Sequence, residues 1–365
     1  MRKAIVVGFI AWLAALANAQ TPSNPDNLSV TRLSAIGALY SKEALCSTAQ
    51  VGRFGNITTI IGETSIYYRY DGTDWAVVPL KFSGAHAITR LTNGHWLVAD
   101  TGNHRLVELT KLDDVRGAVI RDRFPEGGVL ARPHFVLQGP DGYVYTVDTE
   151  SGLRLIRFRT LNGRAQVWKF DVNELGYVRS LAWFDDHLHV ISSSRGEVLR
   201  VDDFARHQFT VFHSPRPIEA QARWKRDPSE LGPFTRNDFF AGALSTTGLV
   251  LNHVEKVDGW YYGTNDFMVK YSFGGDTHPA RLIRWKTWAN FEQGAWEDLS
   301  ALIPSGKTAT PLHPYFITKD DGLLYIPVSG DDGDTPCDPG AVLQINLHQL
   351  DRVDSNGSAV KTSRG

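Results

Sequence analysis

The sequence predicts an all-β fold, a six-bladed β-propeller, and three observations lead to it. A unit of roughly 45 to 60 residues recurs along the chain, as repeat architectures require. In the three clearest units, the same eight positions separate the first residue of the unit from the turn that follows it. Each of these units reads as four short strands, and antiparallel four-stranded units repeated around an axis are propeller blades.

The first nineteen residues are interpreted as a secretory signal peptide. Arg2 and Lys3 precede an apolar run from 4 to 17, and Ala17-Asn18-Ala19 is a small-residue cleavage site. The alternative, a membrane anchor, is weaker because the run is shorter than the roughly 20 residues that span a bilayer. We therefore expect a secreted chain, extracellular or, in a bacterium, periplasmic, without membrane insertion. An oxidising compartment would permit a disulfide between Cys46 and Cys337.

The propeller is expected to occupy residues 20–350. Blade one is predicted from strands at 56–61, 65–70 and 75–80. The segment 27–33 could supply the outer strand of the last blade, which would close the ring and remove two exposed sheet edges. Seven blades are the alternative, because the stretch 29–55 could hold part of another blade.

Blades two, three and four are the most regular units. They begin at His86, His134 and Arg179. In blades two and three the first strand leads into Asn93-Gly94 or Asp141-Gly142, dipeptides that supply the positive φ angles of a hairpin loop. The later strands are predicted at 96–100, 105–109 and 118–121, at 143–148, 154–158 and 165–170, and at 188–192, 197–201 and 209–212.

Blades five and six follow the pattern less closely. Blade five is predicted to start near Asn237 and to continue through 259–263 and 281–285. Blade six is predicted from strands at 315–318, 323–328 and 341–346, and residues 351–365 are expected to form a disordered tail.

Composition excludes several functional classes. The chain has 365 residues with 40 acidic and 38 basic side chains, and its formal charge of −2 argues against a nucleic-acid binder. No P-loop, G-x-G-x-x-G, G-x-S-x-G or H-E-x-x-H motif occurs, so no nucleotide cofactor is expected. We expect a monomer that takes a small-molecule or oligosaccharide ligand.

One segment of blade two resembles a known repeat. Residues 99–109, Ala-Asp-Thr-Gly-Asn-His-Arg-Leu-Val-Glu-Leu, are similar to the core of an NHL repeat, A-D-x-x-N-x-R-[IV], and residues 147–156 match it partly. NHL domains are six-bladed propellers, so the resemblance implies the same blade count. It says little about function, because this fold carries binding modules and enzymes alike.

The blade alignment predicts a polar cluster at one mouth of the central channel. First strands line the channel, and the alignment puts His86, His134 and Arg179 at one equivalent position. His313 in blade six, and Asn237 or Asp238 in blade five, fall at this position or within one residue of it. Equivalent positions of a closed ring converge on its axis. Taken singly, each residue has a structural alternative, such as a hydrogen bond to a neighbouring loop.

Two chemistries suit this cluster. The imidazoles of His86, His134 and His313 could bind a divalent cation, because neutral histidine is a favoured zinc ligand. Alternatively, His86 or His134 acts as a general base and Arg179 binds a substrate carboxylate, with His313 as a ligand or an acid.

The loops around the mouth add further candidates. Tyr145 and His104, together with Asn237 and Asp238, are predicted to contact substrate. The segment 330–338 alternates carboxylates with glycine, a pattern that suits a calcium loop, but it lacks the EF-hand spacing. A solvated turn held by Cys337 is the alternative for that segment.

The sequence thus leaves two functional hypotheses. In the first, the protein is a lyase-type enzyme with a His/Arg centre that acts on an acidic carbohydrate or another carboxylate-bearing ligand. This layout resembles the NHL-type amidating lyases, with His-bound zinc and an arginine at the channel, and secreted propeller lyases that act on uronic-acid glycosides. In the second, the propeller is not catalytic and one face binds a glycan or a protein.

Overall fold

Six β-sheets make up most of the chain that the computed structural model describes. The described residues are 28–32 (backbone only), 50–62, 64–149, 153–170, 178–193, 196–215, 249, 251–265, 281–304, 313–329, 340–347 and 350. The sheets are the blades of a six-bladed β-propeller, which confirms the predicted fold class, and no part of a seventh blade occurs within these ranges.

An N-terminal strand closes the ring. Strand β1 (Leu28–Arg32) pairs antiparallel with the strand Ala341–Asn346 of blade six, so that Leu28 lies opposite Ile345 and Arg32 opposite Ala341. The first and last parts of the described chain therefore share one sheet. This closure, which the sequence predicts, covers the sheet edge that the last strand would otherwise expose.

Blades one to three follow in chain order. Blade one contains β2 (Val51–Phe54), β3 (Ile57–Ile61), β4 (Ile66–Tyr70) and β5 (Ala76–Val77). Blade two contains β6 (Ala87–Arg90), β7 (Trp96–Asp100), β8 (Arg105–Leu109) and β9 (Val119–Arg121). A small hairpin of β10 (Arg123–Phe124) and β11 (Gly128–Val129) precedes blade three, which contains β12 (Pro133–Gln138), β13 (Val144–Asp148), β14 (Arg154–Phe158) and β15 (Ala165–Lys169).

Blades four to six complete the ring. Blade four contains β16 (Val178–Phe184), β17 (His187–Ser192), β18 (Glu197–Asp203) and β19 (Gln208–His213). Blade five contains β20 (Leu251–Val257), β21 (Trp260–Asn265), β22 (Arg281–Trp285), the helix α1 (Trp288–Glu292) and β23 (Glu297–Asp298). Blade six contains β24 (His313–Pro314), β25 (Thr318–Asp320), β26 (Leu323–Ser329) and β27 (Ala341–Asn346).

Two inner strands differ from the prediction. The inner strand of blade one is β2, which lies in the stretch that the sequence leaves open for a seventh blade. The inner strand of blade five is β20, not a strand near Asn237, and it ends at a turn in which Asp258 and Gly259 have φ angles of 49° and 79°. Asn237 and Asp238 lie outside the described residues.

The core lies between the blades. All five residues of β3, β7 and β13 are buried, so these sheets are covered on both faces. Large aromatic side chains fill the space between blades four and five, where Trp288 stacks on Phe212 at 4.1 Å between ring centroids and Trp285 packs on Phe291 at 4.8 Å. Within the described ranges, no helix is long and apolar enough to cross a membrane.

The first strands of neighbouring blades contact one another and line the axis. Each first strand begins at the face of the propeller where the loop between the second and third strands also lies. We refer to the channel opening on this face as the mouth.

Candidate functional site

The side chains that surround the mouth at equivalent positions of the blades, referred to below as the ring, depend on a backbone irregularity that recurs from blade to blade. In blades three, four and five the register between the first and second strands shifts at one residue, and these residues are His134, Arg179 and Asn252. A β-bulge of this kind re-aims a side chain relative to the regular ladder. The three side chains therefore occupy equivalent places in successive blades.

Blades two and six contribute His86 and Tyr315 to the same ring. Ala99 pairs with Ala87, yet its carbonyl oxygen also accepts a hydrogen bond from the backbone N–H of His86 at 3.1 Å. In blade six the backbone N–H of Tyr315 donates to Pro327 at 2.9 Å, and the register shifts between the Pro314 and Thr318 pairs.

His313 lies two residues before this ring position, opposite Ser329, and is buried. The sequence alignment puts His313 at the ring position or within one residue of it. The error arises because the eight positions are counted to a different residue of the turn in each blade. From Arg179 the eighth residue is His187, the first residue after its turn, and Leu323 stands in that relation to Tyr315. Asn252 and Tyr315 thus occupy the places that the sequence assigned to Asn237 or Asp238 and to His313.

The imidazoles of His86 and His134 are in contact, with ring centroids 4.5 Å apart and the ring planes at 64°. His86 Nδ1 lies 2.6 Å from the carbonyl oxygen of Gly84. A carbonyl oxygen only accepts, so Nδ1 carries the proton, and in the neutral ring Nε2 carries the lone pair. His86 is half-buried whereas His134 is 1% exposed, which makes His86 the more accessible of the two.

A chain of hydrogen bonds positions Arg179 across three blades. Its Nη1 donates to Asn252 Oδ1 at 2.7 Å, and Asn252 Nδ2 donates to the carbonyl oxygen of Pro314 at 2.8 Å. The second bond fixes which way the buried amide points, because a carbonyl oxygen cannot donate. Asn252 is neutral, so this contact orients the guanidinium without neutralising its charge.

Aromatic rings pack at the axis one residue further along the first strands. Phe135 stacks on His253 at 5.5 Å and meets Phe316 at 5.0 Å. His253 Nε2 lies 3.2 Å from the carbonyl oxygen of Leu181, and His253 Nδ1 accepts from the backbone N–H of Ile317 at 3.2 Å. Burial lowers the pKa of His253 to about 4, so this imidazole is neutral and structural.

The residues that carry the NHL resemblance have structural roles in the blade loops. Asp100 is buried, and it accepts hydrogen bonds from the backbone N–H of Ser83 at 2.8 Å, from Asn103 Nδ2 at 2.9 Å and from Arg105 Nε at 2.6 Å. The A-D-x-x-N-x-R pattern is therefore a loop held by one carboxylate. In blade three Asp148 plays the same part, because it forms an ion pair with Arg154 and accepts from the backbone N–H of Ala131.

His104 and Tyr145 differ in their relation to the mouth. His104 is exposed in a left-handed conformation with φ 56°, in the loop between β7 and β8. Burial raises the pKa of Asp148, and the ion pair with Arg154 opposes this shift. Tyr145 is buried, and its hydroxyl donates to Asp141 at 2.5 Å in the turn at the opposite end of the blade. The structure does not bring Tyr145 to the mouth.

The predicted metal ligands do not form a complete ligand set in the described part of the chain. No group of three or more His, Cys, Asp or Glu side chains lies close enough there to hold a metal ion. A structural zinc site takes four ligands, and a catalytic one takes three plus water. Among the described residues His86 and His134 form a pair without a third ligand, so the divalent cation stays a prediction. Cys46, Cys337 and the acidic segment 330–338 lie outside the described residues.

Sequence reasoning missed three residues on this face. Asn252 and Tyr315 are two of them, and both could have been found by counting back from the Asp258-Gly259 and Asp321-Gly322 turns. Arg132 is the third. It is half-buried with φ 64°, immediately before Pro133 and two positions before His134. A left-handed conformation costs a non-glycine residue about 1–3 kcal/mol and occurs mainly where surrounding structure imposes it.

Comparisons with known proteins agree with this architecture. No family model matches the chain, and no curated protein matches it. Among solved structures, a luciferin-regenerating enzyme superposes with a TM-score of 0.53 at 12% identity, covering 87% of this chain and 95% of its own. A gluconolactonase from Xanthomonas campestris gives 0.51 at 11% identity, covering 89% of this chain and 96% of its own. A virginiamycin B lyase from Staphylococcus aureus, in a catalytically inactive form with quinupristin, gives 0.50 at 12%, covering 87% and 99%.

The chain therefore has the β-propeller fold of these structures. Identities this low establish the fold alone. The same fold therefore carries a lyase and a gluconolactonase, and the chemistry of this member has to be argued from its own residues.

Proposed function

We propose that the mouth is the active site of a lyase-type enzyme that acts on a carboxylate-bearing ligand such as an acidic carbohydrate. The observation that carries the proposal is the contact between His86 and His134 beside Arg179 in a ring of equivalent bulge positions. A base and a fixed cation are the two groups that elimination next to a carboxylate requires. The occurrence of a lyase on this fold is compatible with the proposal.

Each step can be assigned to a group of the ring. The guanidinium of Arg179 binds the substrate carboxylate and stabilises the negative charge that develops on it. His86 Nε2 removes the proton from the carbon next to the carboxylate. The electron pair of that C–H bond forms the new carbon–carbon double bond, the bond to the leaving oxygen breaks, and the leaving oxygen takes up a proton.

The proton for the leaving oxygen has to come from a second group of the ring. Tyr315 and His134 are the candidates, since a phenol and an imidazolium can both donate. His313 is the third candidate for this role, although it lies two residues before the ring position.

A non-catalytic binding face is the second candidate function, and one observation favours it. The cluster of Phe135, His253 and Phe316 fills the axis directly beneath the ring. The mouth is therefore shallow, and a shallow polar surface also suits the end of a glycan or a peptide.

The deciding experiment is an elimination assay on uronate oligosaccharides, followed by the ultraviolet absorbance of the unsaturated product. The wild-type protein should generate that product, and His86→Ala should not. If binding of the same oligosaccharides occurs without any product, the non-catalytic function is correct.

A further inference from the structure

A basic groove lies on blade three at the face opposite the mouth. It encloses about 490 Å³ and is lined chiefly by Tyr143, Arg157, Arg159, Thr160, Arg164 and Gln166. Strand β13 runs from Val144 beside the groove to Asp148 at the mouth face. At about 3.3 Å per residue the two sites are more than 13 Å apart. The groove is therefore a separate site.

Two of its guanidinium groups are held in place before any ligand arrives. Arg157 lies between the rings of Tyr143 and Phe204, at 4.6 and 4.1 Å from their centroids, and its Nε donates to Gln166 Oε1 at 2.8 Å. Arg159 lies 4.1 Å from the centroid of Tyr143. Side chains ordered in this way lose less conformational entropy when they bind a ligand.

The charge in the groove is one-sided. Among the described residues that line it, three are arginines and one, Glu126, is acidic. Arg164 is exposed and makes no ion pair with a described residue. The whole chain carries a formal charge of −2, so this local excess does not reflect a generally basic protein. Planar guanidinium forks match sulfate and carboxylate groups by paired hydrogen bonds.

The lining also restricts the rest of the ligand. Arg157 and Arg159 both pack against the Tyr143 ring, so the groove has no aromatic platform open for a nucleobase. Thr160 and Gln166 add a hydroxyl and an amide. The volume is in the range of small-ligand pockets, which is about 300–1,000 Å³. A ligand for this groove is polar, hydroxylated and anionic.

We propose that this groove binds the anionic groups of an acidic oligosaccharide. The shared chemistry is a pair of neighbouring oxyanions, and the source is either a sulfate ester or a uronate carboxylate. The proposal does not rest on catalysis at the mouth.

The test is isothermal titration calorimetry of the full chain at two salt concentrations. A heparin hexasaccharide carries sulfate and carboxylate groups, an oligogalacturonate of the same length carries carboxylates alone, and a single-stranded oligonucleotide serves as the comparator. Arg159→Ala and Arg164→Ala should each weaken binding of the sugar at least tenfold, with an unchanged thermal midpoint. Binding of both sugars identifies carboxylate as sufficient, and binding of heparin alone identifies sulfate.

Matched controls separate this site from general electrostatics and from the mouth. Arg206→Ala removes an exposed arginine of blade four and should leave the Kd unchanged within twofold. All titrations use the His86→Ala background, so that elimination at the mouth does not consume the sugar. The proposal is overturned if neither sugar binds, if Arg159→Ala and Arg164→Ala bind like the wild type, or if the oligonucleotide binds as tightly as the sugars.

Discussion

The imidazoles of His86 and His134 lie in contact, with ring centroids 4.5 Å apart, although 48 positions separate them in the sequence. They meet because each begins the innermost strand of its own blade, and neighbouring innermost strands converge on the axis. The same relation continues to Arg179 in the next blade. The contact is therefore a consequence of the repeat, and its chemistry can be tested residue by residue.

His86 is expected to be the base of the proposed reaction. His86→Ala should lower kcat for elimination by about 10²- to 10⁴-fold, the usual contribution of a positioned base. The thermal midpoint should change little, because His86 is half-buried. His187→Ala is the matched control, since His187 lies at the turn on the opposite face, and its activity should equal that of the wild type. Full activity of His86→Ala would eliminate His86 as the base.

Asn252 is expected to act through Arg179, as a positioning residue. Asn252→Asp places a carboxylate 2.7 Å from a guanidinium that must bind a substrate carboxylate. A charge-assisted hydrogen bond contributes about 1.5–3 kcal/mol, so KM should rise roughly 10- to 100-fold with a smaller change in kcat.

The control for this variant is Asn290→Asp in helix α1, which makes the same change in charge away from the mouth. It should leave KM unchanged. An unchanged KM in folded Asn252→Asp would mean that Arg179 does not bind the substrate carboxylate.

The blades could be predicted from the sequence where turn chemistry and hydrophobic pattern agree. Blades two to four show both, and the ring positions of His86, His134 and Arg179 follow from them. Strand β20 is not predicted because it reads Leu-Asn-His-Val-Glu-Lys-Val, in which four polar or charged residues interrupt the hydrophobic pattern of a strand. Strand β2 is not predicted because it is short and contains Gly52, and glycine is uncommon in strands. The structure requires glycine there, since a Cβ would clash with the Phe54 ring and Thr59 Oγ1.

Bulges set the second limit on prediction. A shifted register moves every following side chain relative to its partner strand, and the residue types do not mark where the shift occurs. The offset of His313 has a separate cause, because the residue eight positions before Leu323, the first residue after its turn, is Tyr315. Asn103 and Arg105, by contrast, bond the Asp100 carboxylate within one loop, and a local motif reveals such contacts directly.

Stability should fall in mild acid because of buried histidines. Burial lowers the pKa of His253 to about 4 and that of His189 to about 3, whereas an unfolded histidine has a pKa near 6.5. Below about pH 6.5 these two histidines are therefore protonated in the unfolded chain but remain neutral in the folded chain. Neither histidine lowers the free energy of unfolding above about pH 6.5. As the pH falls from there toward the pKa in the folded chain, each lowers the free energy of unfolding by up to about 1.4 kcal/mol per pH unit.

Urea unfolding from pH 7 to pH 4.5 measures this effect. His253→Gln and, separately, His189→Phe should each show a shallower loss of unfolding free energy with falling pH than the wild type, whatever their stability at pH 7. Parallel curves for wild type and both variants would show that these histidines do not resist protonation.

The carboxylate of Asp100 should be a major contributor to stability. It is fully buried and accepts from Ser83, Asn103 and Arg105, so Asp100→Ala removes all three bonds and leaves a partly buried cation without its counter-charge. Breaking such a pair costs about 3–5 kcal/mol. Chemical denaturation of Asp100→Ala should show a loss of this size.

Asp114→Ala is the matched control for Asp100→Ala. Its pair with Arg116 is exposed, so the midpoint of unfolding should stay at the wild-type value. Equal losses in the two variants would contradict a special role for the loop carboxylate.

Closure of the ring by β1 should decide whether the propeller holds together. The five residues of β1 pair along β27, and their removal would leave β27 as an open edge with unpaired backbone groups. A chain that starts at residue 33 should therefore have a lower thermal midpoint and should aggregate, as light scattering would report. A chain that starts at residue 28 keeps the pairing and should unfold like the longer chain. If both truncated chains are equally stable and monomeric, closure by β1 does not stabilise the ring.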